Sequence, residues 1–145
     1  MDQETYVKLK EAYLTGFFDG EGCVSIGNNG NITLRVINTG YPVLLDFKDF
    51  FGGSIGERSQ IVNKKQYTWS VYGFSAIEVA RKMLPFSIEK REQLATIIEW
   101  YRERDGFSGV RIPGVKGVHA DPDRIIRIRD YKKRLTNMKK GIVND

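Results

Sequence analysis

Apolar and aromatic side chains at positions 6, 9, 13, 14, 17 and 18 recur at helical spacing and predict a helix over residues 5–20. Gly22 then opens a period of two. Val24 and Ile26 alternate with Ser25 and Gly27, Asn28-Asn29-Gly30 supplies turn chemistry, and Ile32, Leu34 and Val36 alternate with Thr33, Arg35 and Ile37. This is a hairpin with one largely apolar and one largely polar face. Residues 41–51 start with a proline in the first turn and stop at Gly52-Gly53, the punctuation of a second helix. A second strand pair, 54–59 and 67–74, flanks a polar connection containing Asn63, Lys64 and Lys65. Ser75 is placed to cap a helix running to Leu84, and Pro85 separates it from another over residues 88–104. Residues 105–120 are glycine-rich and irregular, and Asp121-Pro122 reads as the cap and first turn of a last helix.

Helix, hairpin, helix, hairpin, helix, helix describes an α+β domain, of αββαββα type, whose antiparallel sheet is covered by helices on one face and open on the other. The open face is left for a ligand. At 145 residues and 41% hydrophobic composition the chain suits one domain with its own core. The single cysteine, Cys23, excludes an internal disulfide, and with His119 as the only histidine there is no Cys/His set for structural zinc. Any metal must be held by oxygen. No apolar run reaches the length of a membrane span, and the N-terminus lacks the basic and apolar regions of a signal peptide, so a soluble, intracellular protein without a membrane partner is expected.

The net charge is +5 and its distribution is uneven. Between residues 124 and 140 eight basic side chains (Arg124, Arg127, Arg129, Lys132, Lys133, Arg134, Lys139, Lys140) stand against the one acid Asp130. Such a density suits phosphates, whereas a merely solvated helix face would mix the signs more evenly.

The richest stretch chemically is Leu14-Thr15-Gly16-Phe17-Phe18-Asp19-Gly20-Glu21-Gly22. Gly16 and Gly20 lie one helical turn apart on one side, and each costs a helix roughly 0.5–1 kcal/mol relative to alanine. Their presence suggests a second backbone at close range. The acids Asp19 and Glu21 follow between glycines. They can be a plain helix stop and turn, or carboxylates placed at a helix end for a hard divalent cation.

This segment resembles the LAGLIDADG motif of homing endonucleases: Leu14, Gly16, Asp19 and Gly22 match letter for letter, and Glu21 takes the place of the final acid. Thr15, Phe17, Phe18 and Gly20 depart from the motif. The resemblance runs through the order of elements over residues 8–104, so that 1–104 reads as a single-motif endonuclease domain, with 105–145 a loop and basic helix of the same domain. It implies that the motif helices of two chains pack through Leu14, Gly16, Phe17 and Gly20. One motif per chain implies a homodimer with two Glu21 carboxylates beside the twofold axis. Glu21 and the Gly20 carbonyl would ligate Mg²⁺, with Mn²⁺ an admissible substitute and Ca²⁺ expected to support binding without cleavage. Asp19 is expected to brace the helix end. Lys90, soon after Pro85, matches the family's lysine that stabilises transition-state charge, with a surface ion pair to Glu89 or Glu92 the alternative. Asn38, at the end of the second strand, would position the attacking water, with a turn in Asn-Thr-Gly the alternative.

The implied partner is double-stranded DNA, read through the open sheet face. With Val24, Ile26, Ile32, Leu34 and Val36 inward, Ser25, Gly27, Asn29, Asn31, Thr33 and Arg35 point outward, and Arg35 is the best guanine reader. In the second hairpin Arg58, Gln66, Thr68 and Ser70 are candidates of unfixed register, and Lys64 and Lys65 are expected to meet phosphates, as are Arg127, Lys132, Lys133, Lys139 and Lys140. The implied function is site-specific, Mg²⁺-dependent double-strand cleavage at a long, near-palindromic site. The alternative is an intron maturase, which would bind intron RNA, or a DNA-binding regulator that keeps the fold without cleavage. Phe17, Phe18, Phe47, Phe50, Phe51, Trp69 and Trp100 occur at core spacing.

Overall fold

The computed structural model describes residues 1–58, 65–104 and 121–141. The chain opens with helix α1 (Gln3–Glu21), capped by Asp2, whose carboxylate accepts from Thr5 N at 2.8 Å. Strands β1 (Gly22–Ile26) and β2 (Ile32–Asn38) form the first hairpin, and α2 (Tyr41–Phe51) ends at Gly52, in the left-handed region at φ 76°. Strands β3 (Ser54–Arg58) and β4 (Gln66–Tyr72) follow, then α3 (Gly73–Met83), α4 (Arg91–Arg104) and α5 (Pro122–Lys139).

The four strands are antiparallel in the order β1-β2-β4-β3, so the two hairpins join through their second strands. Register puts Val24 opposite Leu34, Leu34 opposite Val71 and Val36 opposite Trp69, all buried on the helix-covered face. The core fills between that face and the helices with Leu14, Phe18, Phe47, Ile77, Met83, Leu94, Ile97 and Trp100, all fully buried. Both buried indoles find a carbonyl: Trp69 Nε1 donates to Gly52 O at 2.8 Å and Trp100 Nε1 to Gly30 O at 2.9 Å. No helix among the described residues is long and apolar enough to cross a membrane.

Several boundaries differ from the sequence expectation. β4 passes straight into α3, because Gly73 turns the chain at φ 59°; Tyr72 is the N-cap residue and Ser75 is not. Helix α4 begins at Arg91 rather than 88, since residues 87–90 form a turn held from α1. β4 runs from Gln66 to Tyr72, one residue earlier at its start and two shorter at its end than expected. Residues 105–120, expected to be irregular, lie outside the described residues.

Helix α5 packs on α4 and β1 through buried Ile128, Tyr131 and Leu135. Its expected cap is present: Asp121 accepts from Asp123 N at 2.8 Å. Tyr131 stacks on Trp100 with ring centroids 5.3 Å apart and donates to Glu99 at 3.1 Å and Glu103 at 2.5 Å. Burial first, then the Glu103 hydrogen bond, pushes its phenol well above the usual range.

At the junction of α1 and β1, a Cβ on Gly22 would stand 2.3 Å from the ring of Phe18, which is fully buried. Gly22→Ala is therefore expected to destabilise the chain by about 1–3 kcal/mol through overpacking, read as a lowered denaturation midpoint at unchanged slope.

Candidate functional site

The candidate residues lie on two surfaces: one side of α1 and the open face of the sheet.

Along α1 the side chains of Tyr6, Leu9 and Tyr13 are 48%, 53% and 63% exposed, and Gly16 and Gly20 continue the same row. The row advances in alternating steps of three and four residues, the spacing of a helix–helix seam. A Cβ built on Gly16 or Gly20 meets nothing within 4 Å, so nothing among the described residues calls for glycine at either position. Leu14 does not belong to this row: it is fully buried in the core. Phe17 is half-buried and packs edge-on against Phe47 at 6.0 Å, because a step of three or four residues from Tyr13 reaches 16 and 17 on diverging sides of the helix.

Glu21, next after the row's last glycine, is the last residue of α1 and is exposed. A helix C-terminus carries partial negative charge and orphan carbonyls, so this end attracts cations. Gly22 N donates to Phe18 O, and Lys90 Nζ donates to Asp19 O at 2.5 Å. The Lys90 ammonium thus sits on a carbonyl two residues before Glu21, rather than on Glu89 or Glu92. The Gly20 carbonyl belongs to the same terminal turn.

Asp19 faces away from this end. Its carboxylate accepts from Ser87 Oγ at 2.6 Å and from the N–H groups of Ile88 at 2.7 Å, Glu89 at 3.2 Å and Lys90 at 3.3 Å. Partial burial raises its pKa, but the hydrogen bonds from Ser87 and the three amides outweigh that and hold it below the ordinary aspartate value. It is a brace, as the sequence suggested, and its partner is the turn before α4.

The donor chemistry at the end of α1 is one exposed carboxylate with backbone oxygens, which suits a hard divalent cation. Among the described residues no three His, Cys, Asp or Glu side chains gather in one chain to enclose a metal. The set fits an ion that completes its shell with water and other oxygens.

The open sheet face carries cross-strand rows. Cys23, Arg35, Ser70 and Ser54 stand in register, as do Ile37, Thr68 and Gly56. Arg35, Ile37, Ser54, Arg58, Thr68, Ser70 and Tyr72 line a shallow concavity of about 390 Å³. No family model and no curated protein matches the sequence. Solved structures do match the fold. The homing endonuclease I-CvuI, in complex with its target in the presence of Ca, superposes with a TM-score of 0.70 at 21% identity, over 97% of this chain and 88% of that one. The archaeal intron-encoded homing endonuclease I-Vdi141I, complexed with DNA, gives 0.67 at 21% identity over 90% and 84%. The homing endonuclease I-TnaI gives 0.57 at 17% identity over 92% and 97%. The chain has the homing-endonuclease fold.

Within this fold the sequence-predicted DNA-facing residues fall into distinct groups. Ser25, Thr33 and Arg35 stand on the open face, and the register of the second hairpin puts Arg58 opposite Gln66 with Thr68 and Ser70 on the same parity. Gly27, Asn29 and Asn31 form the β1–β2 turn, where Asn29 Oδ1 accepts from Asn31 N at 3.0 Å and Gly27 N donates to Asn31 O at 2.7 Å. Lys65 is off the face: it follows the opposite parity and pairs with Glu57 at 3.9 Å. Lys64 lies outside the described residues. Asn38 uses Oδ1 to accept from Gly40 N at 2.7 Å, which makes it a turn residue leading into α2. Ile37, which alternation had already put on this side, joins Cys23, Ser54, Gly56 and Tyr72 as face residues that were not named as DNA candidates; alternation from Ser70 would have found Tyr72.

The basic helix is less free than its charge suggests. Arg127 pairs with Glu103 at 2.8 Å and Arg134 with Glu99 at 3.2 Å; the Arg134 hydrogen bond is the main reason that Glu99 is held below its ordinary pKa. Lys132 reaches Asn28, and Lys139 donates to Val24 O at 2.7 Å. These contacts let Arg127, Lys132 and Lys139 fasten α5 to α4 and to the first hairpin. Arg129, Lys133 and Lys140 are exposed on the opposite side of α5.

Proposed function

We propose that this chain is a homodimeric, divalent-metal-dependent, site-specific DNA endonuclease that makes a double-strand break at a long, near-palindromic site. One observation carries the reading: an exposed helical row bearing two glycines that nothing among the described residues calls for runs to the helix end that carries exposed Glu21, with the Lys90 ammonium anchored at the same end. Two copies joined along that row place two Glu21 carboxylates side by side, one for each strand of a duplex.

In this reading Glu21 and the Gly20 carbonyl of each chain would hold the ion. When bound, it supplies charge neutralisation at the phosphoryl oxygens and an acidified water. Lys90 is placed to offset the charge that builds on the phosphate during attack. The open face lies along the major groove, where Arg35, Thr68, Ser70 and Arg58 present donors to base edges and Arg129, Lys133 and Lys140 offer cations to the backbone. I-CvuI and I-Vdi141I, which share the fold, were both solved on DNA. A binding module without cleavage would leave the convergence of Glu21 and Lys90 without a use.

The reading is tested by light scattering of the chain on duplex DNA. Two chains per duplex are expected, and a monomer both free and bound would overturn the twofold arrangement. Arg35→Ala is expected to relax specificity at one position in each half-site, costing roughly 1–3 kcal/mol if the contact is a bidentate guanine pair, measured by competition among single-base variants of the site.

A further inference from the structure

Asp19 holds Lys90 at both ends. Its carboxylate receives four donors from the segment 87–90: Ser87 Oγ and the amides of Ile88 and Glu89 at 2.6, 2.7 and 3.2 Å, and the amide of Lys90 at 3.3 Å. Its main-chain carbonyl receives the ammonium of the same lysine at 2.5 Å. The carboxylate, supplied from α1 68 residues before Ser87, therefore closes the turn that leads into α4, where three successive amides and a hydroxyl converge on a negative charge. Two carboxylate oxygens offer about four lone-pair sites, and four donors occupy them. Asp19 is left with no coordination site for a metal, although it stands only two residues from Glu21. Ser87, fully buried, supplies the shortest of the four bonds and the only one from a side chain.

We propose that Asp19 and Ser87 are positioning residues of the cleavage reaction, a latch that fixes the Lys90 backbone to the end of α1 and so delivers its ammonium beside Glu21. This rests on the nuclease reading above, in which Lys90 takes part in the chemistry. The latch joins the helix that carries the metal-binding carboxylate to the helix start that carries the cation. A lysine has four rotatable side-chain bonds, so without a fixed backbone its ammonium would sample many positions relative to the scissile phosphate. Displacing a catalytic group by about 1 Å costs on the order of 100-fold in rate.

The test is a set of cycles on the full chain, with a duplex recovered by Mg²⁺-dependent selection from randomised DNA as the probe. Single-turnover cleavage in Mg²⁺ and affinity in Ca²⁺ are measured for wild type, Ser87→Ala, Asp19→Asn, Lys90→Ala and the doubles with Lys90→Ala. Ser87→Ala is expected to slow cleavage roughly 10-fold, one lost hydrogen bond to a charged acceptor, and Asp19→Asn roughly 100-fold, with affinity for the duplex unchanged. Neither substitution should slow cleavage further once Lys90 is alanine, because both act through it. Amide exchange of Ile88, Glu89 and Lys90 should be accelerated in Asp19→Asn. Fully multiplicative effects with Lys90→Ala would overturn the latch while leaving the nuclease intact, as would losses of rate that merely follow losses of affinity. Wild-type protein that leaves every duplex whole, or Lys90→Ala cleaving at the wild-type rate, would instead bring down the reading on which the latch rests. Should Asp19→Asn fail to fold, Ser87→Ala, which removes one hydroxyl and adds no bulk, decides the matter alone.

Discussion

Glu21→Gln is expected to abolish Mg²⁺-dependent cleavage while leaving DNA affinity in Ca²⁺ close to that of the wild type. Glu21 is exposed at the very end of α1, outside the buried core of the described residues, so the fold is expected to survive the substitution. What it removes is the one negatively charged oxygen donor at a helix end already suited to cations. An amide oxygen is a poor replacement for a carboxylate in holding a hard divalent ion, and each chain has a single such group. The loss should be near complete, of the size seen when a reaction is stripped of its metal, several kcal/mol of transition-state charge stabilisation. Quench-flow cleavage and filter binding on the same preparation separate the two effects. Unchanged cleavage would remove Glu21 from the mechanism.

Bulky substitution at Gly16 is expected to produce a folded monomer that neither dimerises nor cuts. The structure makes this sharper than a general statement that glycines matter. A Cβ at position 16 meets nothing within 4 Å among the described residues, and Gly16→Ala alone should favour α1 by roughly 0.5–1 kcal/mol in the isolated chain. The penalty falls entirely on the approach of a second helix, where a large residue in a close-packed seam costs typically 1–3 kcal/mol per position and two symmetry-related copies are changed at once. Gly16→Leu should therefore raise or preserve the thermal midpoint of the chain when dilute, and shift its mass on light scattering from two chains to one. A dimer that persists with Leu at 16 would place the contact elsewhere.

Local punctuation made most of the elements legible. Pro42 and Gly52-Gly53 fix both ends of α2, and Asp121-Pro122 caps α5, because turns and caps are decided by a few adjacent residues. The inward set of the first hairpin followed from alternation alone. What escaped was decided at long range. β4 runs into α3 without a spacer, so Ser75 has no cap to make. The start of α4 is set by Asp19, a partner 68 or more residues away that no window of sequence contains. Leu14 belongs to the motif yet faces the core, since only every third or fourth residue of α1 lies in the exposed row. The charge of α5 was plain in the sequence, but Glu99 and Glu103, which neutralise part of it, sit on a different helix. The candidate site was thus readable as residue types, and its division of labour, Glu21 outward and Asp19 toward α4, was settled by packing.

In the proposed reading this chain cuts DNA at a defined site with a divalent metal, using one carboxylate from each of two copies. Incubating it with a randomised duplex library in Mg²⁺ and, in parallel, in Ca²⁺, and sequencing the cut ends, tests that claim directly. The expected result is a single family of near-palindromic sites cut on both strands in Mg²⁺ only, and absent with Glu21→Gln. Duplexes bound but uncut in Mg²⁺, or cuts that survive Glu21→Gln, would contradict it.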